Sequence, residues 1–161
     1  MNSNLPHIAM LRHPVHFLSL GFGSGLAPKA PGTFGTIAAI PLYLALLNTS
    51  SEIYLLITIL LFLIGIYLCG VTATALGVHD HGAIVWDEIV GFLVTMSFVK
   101  YSLISVIAGF LLFRLFDILK PWPISWLDKK VHGGLGIMLD DLLAAIFAAA
   151  ILAYIEYLSY I

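Results

Sequence analysis

From residue 53 to residue 78 the chain runs for 26 residues without a charged side chain. That is more than the roughly 20 apolar residues needed to cross the hydrocarbon of a bilayer. In lipid no backbone N–H or C=O can be left to water, so a spanning segment of this kind predicts a helix. Four further apolar segments, 36–47, 84–99, 103–119 and 142–161, read the same way. The expected architecture is all-α: a polytopic membrane bundle of about five membrane-embedded helices, with re-entrant or loop elements on one side. The segment 36–47 is the weakest of them, being short and interrupted by Pro41, which neighbouring helices can accommodate. Composition agrees, with 61% hydrophobic and 10% charged residues and a mean hydropathy of +1.05. Soluble domains carry about 25% charged residues.

A chain of 161 residues has room for a handful of spans, and no repeat or linker divides it, so 1–161 is expected to be one domain. The first residues lack the basic, apolar and small-residue succession of a secretory signal, and no cleavage is expected. A formal net charge of −2 offers no basic surface for nucleic acid. No obligatory protein partner is inferred. The single cysteine, Cys69, lies in an apolar run and reads as a small hydrophobe.

Orientation follows from the bias of Lys and Arg toward cytoplasmic loops. Arg12 and Lys29 precede the first apolar segment, and Lys120, Lys129 and Lys130 fall between the fourth and the fifth. With five spans, the N-terminus and the loop LGVHDHGA are cytoplasmic and the C-terminus is outside. Asp80, Asp87, Glu88, Asp117, Asp140 and Asp141, six of the nine acidic residues, then arrive at one level on one side.

Carboxylates at the edge of hydrocarbon are costly, by about 2.5 to 3.5 kcal/mol each on insertion scales, so several at one depth call for a compensating partner. Oxygen ligands without cysteine point to a hard dication, and Mg²⁺ is the expected one. Acids at helix starts also favour the macrodipole, which would account for Asp87, Glu88, Asp140 and Asp141 singly. It does not account for Asp117, at the far end of its helix. Arg114, Asp117 and Lys120 recur every three residues and are expected to share one helical face.

His79 and His81 flank Asp80 without a third nitrogen or sulfur ligand, a poor zinc pattern. Proton transfer near neutral pH suits them better. His132 reads either way, and His7, His13 and His16 read as interfacial. Trp122 and Trp126, flanked by lysines, read as membrane-interface anchors. Ala144, Ala145, Ala148 and Ala149 read as a close-packing row.

The stretch GFGSGLAPKAPGTFGT, residues 21–36, places Lys29 inside the most irregular backbone of the chain. Glycine-rich turns before a helix can expose amides to an anion. Thr33 or Thr36 is expected to cap that helix, with Lys29 the added point charge. It is not a Walker A loop.

Three stretches, GFGSGLAPKAPGTFGT, HDHGAIVWDEIVG and FDILKPWPISWLDKKVHGGLGIMLDD, together resemble the phosphatidylglycerophosphatase A family of bacterial membrane lipid phosphatases. The likeness covers roughly residues 16–145. It implies Mg²⁺-dependent removal of the terminal phosphate of phosphatidylglycerophosphate, giving phosphatidylglycerol, at the cytoplasmic face of the inner membrane. It carries Lys29, Asp80, Asp87, Glu88, Asp117, Lys120, Asp140 and Asp141 as motif positions. On that footing Asp87, Glu88, Asp140 and Asp141 are the expected metal shell. Lys29, Thr33, Arg114 and Lys120 are the expected phosphate-binding residues. Asp80, His81, Asp87, Glu88, Asp117 and Asp141 are the expected catalytic residues, with Asp80 or His81 the candidates for proton transfer, and attack by an aspartate stays open beside attack by water. The alternative class is a transporter or ion-conducting protein with an acidic metal site on the same side, whose charges would be spread through the bilayer depth. A non-catalytic scaffold would not need so many acids at one level.

Overall fold

A computed structural model describes residues 6–158, and the regular structure among them is helical throughout. In chain order the helices are α1 (Pro14–Ser19), α2 (Pro31–Leu46), α3 (Ser51–Leu76), α4 (Trp86–Met96), α5 (Leu103–Leu119), α6 (Ile124–Lys130) and α7 (Gly133–Leu158). Single 3₁₀ stretches lie at Ile8–Arg12 and Gly21–Leu26. The expected loop elements beside the acids are thus short helices and turns.

The charge-free run becomes α3, started by Ser50, whose Oγ accepts from the Ile53 N–H. Its outer face carries Ile53, Leu56, Ile59, Leu60, Leu63 and Tyr67, all exposed. Only 28% of its most apolar 18 residues is buried, which is the reverse of a core helix in a water-soluble protein. α3 and α7 are the two helices long and apolar enough to cross a membrane among the described residues.

A helix covers most of each of the five expected segments, residues 159–161 of the last lying outside the described residues, but three of these helices are shorter than a full span. α2, α4 and α5 have 16, 11 and 17 residues. At 11 residues α4 rises only about 16 Å, and nine of its residues are buried. A helix apolar on every side can face lipid or lie at the centre of a bundle, and sequence alone gives both the same appearance. α4 takes the central place.

α2 begins at Pro31, five residues before the expected start, because proline's fixed φ suits the first helical position. The helix continues through Pro41. α7 begins at Gly133 instead of residue 142, so Asp140 and Asp141 lie about two turns inside a helix. The macrodipole account of these two acids therefore fails.

α7 packs on α3, α4, α5 and α6. Ala144, Ala145, Ala148 and Ala149 are buried along it. The tightest approach is at Gly134, where a Cβ would overlap the Ile66 carbonyl oxygen of α3 and lie 2.7 Å from the Gly70 nitrogen. Backbone cannot yield as a side-chain tip can. Gly134→Ala is expected to destabilise the fold by about 1 to 3 kcal/mol, lowering Tm by several degrees. At exposed Gly82 a Cβ would meet only Pro31 Cγ at 4.0 Å, so Gly82→Ala is the matched control. Equal melting temperatures for both variants in detergent would contradict the close α3–α7 contact.

Candidate active site

Short connections reverse the chain between α2, α3, α4 and α5, so the start of α4 and the ends of α3 and α5 meet at one end of the bundle. α6 and the first turns of α7 close that end. Two groups of carboxylates form there.

In the first, Asp87 and Glu88 from the opening turn of α4 meet Asp141 of α7, with ligand-capable atoms all within 4.8 Å of one another. Asp87 and Asp141 are 7% and 3% exposed. Asp87 Oδ1, Glu88 Oε2 and Asp141 Oδ2 are buried without a hydrogen-bond partner. Arg114 of α5 approaches this group from one side, with Nη1 3.5 Å from Glu88 Oε1 and 2.5 Å from Asp117 Oδ2.

The second group is Asp80 from the loop after α3, Asp128 of α6 and Asp140 of α7, again within 4.8 Å. Lys120 Nζ lies 2.5 Å from Asp140 Oδ2 and 2.9 Å from Asp128 Oδ1. Half-burial pushes the Lys120 ammonium pKa down, but the hydrogen bonds and charges of Asp140 and Asp128 outweigh it and leave the pKa raised. Lys120 is therefore a cation throughout the neutral range.

The expected four-residue metal shell is thus divided. Consecutive helical residues are rotated by about 100°, so Asp141 turns to Asp87 and Glu88 while Asp140 turns to Lys120. The expected ladder on α5 holds for Arg114 and Asp117 only. Lys120 lies past the last turn in left-handed backbone, φ 42° and ψ 55°, which takes it off that face.

Asp128 is the site residue that the sequence concealed. Sitting between Trp126 and two lysines, it has the look of an interfacial anchor segment. Only the reversal between α5 and α6 returns it to Lys120.

No ion pair or hydrogen bond among the described residues ties Lys29, Thr33 or His81 to either group. Lys29 is exposed beside the start of α2. Neither Thr33 nor Thr36 caps α2; the N-cap is Ala30, Thr33 N–H donates to the Ala30 carbonyl, and Thr36 Oγ1 donates to the Gly32 carbonyl. The loop's glycines serve close contact instead. A Cβ at Gly25 would overlap the Ala83 carbonyl oxygen, and one at Gly32 would overlap Glu88 Oε1 and sit 2.9 Å from both terminal nitrogens of Arg114.

His81 Nδ1 accepts from the Ala83 N–H at 3.1 Å, so the neutral ring carries its proton on Nε2. His79 Nε2 accepts from the Gly133 N–H at 2.9 Å, and its ring stands edge-on to His132 at 4.8 Å. These contacts fasten the Asp80 loop to the start of α7. An open groove of about 670 Å³, bordered by His7, Ile8, Leu26, Pro31 and His81, runs alongside.

Across both groups seven carboxylates, Asp117 included, face two cations, Arg114 and Lys120, a formal excess of five negative charges. Buried carboxylates without donors are strongly disfavoured unless a cation joins them. Three oxygen donors with no sulfur or nitrogen suit a hard dication, and the unpartnered oxygens of Asp87, Glu88 and Asp141 are where one fits.

Residues 17–156 match the family described as phosphatidylglycerophosphatase A. Phosphatidylglycerophosphatase A of Escherichia coli strain K12 is 48% identical over 146 residues, 90% of this chain and 85% of that protein. Its namesake in Haemophilus influenzae is 49% identical over 158 residues, 97% of this chain and 96% of that protein. A Bacteroides thetaiotaomicron protein, provisionally named a phosphatidylinositol-3-phosphatase, is 35% identical over 148 residues, 84% of this chain and 89% of its own length. No solved structure matches. By a match that takes in both groups of acids and nearly all of the helical bundle, the chain belongs to the phosphatidylglycerophosphatase A family.

Proposed function

We propose that the chain hydrolyses the terminal phosphomonoester of phosphatidylglycerophosphate, releasing phosphate and leaving phosphatidylglycerol in the membrane, with Mg²⁺ as cofactor. The observation that carries this reading is the buried Asp87, Glu88 and Asp141 group, with an unpartnered oxygen on each residue. The names of the two similar relatives support the substrate.

Asp87, Glu88 and Asp141 would hold the Mg²⁺, which would supply positive charge at the phosphoryl group and make water a better nucleophile. Arg114 is anchored by Asp117 and Glu88, and its Nε is buried without an acceptor, so a phosphoryl oxygen can complete its donor set. Exposed Lys29 draws the anionic headgroup toward the site. Asp80 and His81 lie on the open side. They are the groups to accept the proton of the attacking water and to protonate the leaving glycerol oxygen.

The chain sits in the bacterial inner membrane, with α3 and α7 crossing it and α2 and α5 embedded beside them around α4. Arg12, Lys29, Lys120, Lys129 and Lys130 all lie at the site's end, whereas Lys100 lies at the other, so the site faces the cytoplasm.

The test is phosphate release by the purified chain in mixed micelles. Release from phosphatidylglycerophosphate is expected at a rate at least about 10-fold above that from phosphatidylinositol 3-phosphate, a ratio that headgroup contacts alone can supply. No release from phosphatidylglycerophosphate overturns the reading, and the opposite preference transfers the chain to the specificity named for the Bacteroides relative.

A further inference from the structure

We infer that Lys120 is a built-in counter-ion occupying the second group of acids where a second dication would otherwise sit, so that the site works with one metal ion. This rests on reading Asp87, Glu88 and Asp141 as the metal-holding group.

The two groups are alike in kind, each offering three carboxylates with ligand-capable oxygens within 4.8 Å, and α7 contributes one residue to each. They differ in what is inside them. Asp87, Glu88 and Asp141 each keep a buried oxygen without a partner, as Asp140 also does at Oδ1, but no cation bridges the acids of the first group, where Arg114 reaches only Glu88. In the second group the ammonium of Lys120 hydrogen-bonds both Asp128 and Asp140, at 2.9 and 2.5 Å. A dication cannot share that space with an ammonium without strong repulsion.

The backbone gives an independent reason to regard Lys120 as placed for this purpose. At φ 42° and ψ 55° it holds the left-handed position after α5, its N–H closing the helix on the Phe116 carbonyl. Glycine is the usual residue there, and a lysine pays a conformational cost. That turn is what carries the ammonium from the Arg114 face into the space between α6 and α7. An ammonium has three donors, and Asp128 and Asp140 take two, leaving one for Asp80 or a substrate oxygen. Lys120 is then a positioning residue for Asp140, Asp128 and the corner between α5, α6 and α7, and Asp140 is not a metal ligand in the wild-type chain.

The experiment is a Mn²⁺ titration of the full chain in detergent micelles without substrate, read by electron paramagnetic resonance as ions bound per chain. One ion is expected for wild type and for Lys120→Arg, and two for Lys120→Gly. Glycine suits the left-handed backbone, so that variant removes the ammonium without straining the turn. Asp128→Asn is expected to retain one ion, since Asp128 pairs with the lysine. Two ions on wild type, one ion on folded Lys120→Gly, or loss of the ion in Asp128→Asn overturns the inference. Should Lys120→Gly not fold, the wild-type and Asp128→Asn counts still decide. No ion on wild type removes the metal-holding reading itself, an outcome distinct from a wrong count.

Discussion

Asp141→Asn and Glu88→Gln each lower kcat by at least about 10³-fold while the helices still assemble, a loss equivalent to about 4 kcal/mol of transition-state stabilisation. Both changes keep shape and remove one of the three charges in the first group. The new amide also brings an N–H₂ donor among oxygens that should face a cation, and burial at Asp141 leaves no water to take the missing ligand's place. The effect on folding runs the other way. Removing one of several crowded like charges relieves repulsion, so without metal the variants melt at or above the wild-type temperature. Wild type is expected to gain stability from Mg²⁺ as the logarithm of one plus the ratio of free ion to Kd, and both variants are expected to lose that gain. Chelation of wild type should likewise reduce turnover to background, and added Mg²⁺ should restore it. Wild-type rates in both variants, or activity that survives full chelation, would show that this group holds no catalytic metal.

How far sequence led depends on which physical signal each segment carries. The bounds 103–119 coincide with α5 because Ser102 caps its start and Lys120, directly before Pro121, ends it. α4 was legible as a helix but not as an interior one, since a buried helix and a lipid-facing helix have the same composition. The start of α7 was hidden because GGLGIMLDD combines glycines and acids that locally favour a turn. Tertiary contact overrides that preference: Gly134 and Gly136 let the helix pass against the carbonyls of Ile66 and Val131. Asp80, Asp87, Glu88 and Asp141 stood out because charge is rare in this chain. The partition of Asp140 from Asp141, and the pairing of Lys120 with Asp128, depend on helix rotation and a left-handed residue that no local pattern announces.

Gly32→Ala is expected to lower kcat/KM by about 100-fold while moving Tm by no more than a few degrees. The added methyl would overlap Glu88 Oε1 and press on both terminal nitrogens of Arg114. Helix α2 cannot step aside, because Pro31 fixes its first turn and Thr36 Oγ1 bonds the Gly32 carbonyl. What yields is the flexible end of Glu88 and the guanidinium, so the steric cost to the fold is small, and alanine's better helix propensity of about 1 kcal/mol offsets part of it. Catalysis has no such slack, since a displacement of about 1 Å at a reacting centre costs on the order of 100-fold. The contrast with Gly134→Ala is the sharper part of the prediction. There the obstacle is a backbone carbonyl between two helices, so stability should fall first and activity only with it. A Gly32→Ala enzyme with kcat/KM within about threefold of wild type would mean that the Glu88 carboxylate relocates without consequence, and a carboxylate free to do that is not a fixed ligand of the metal.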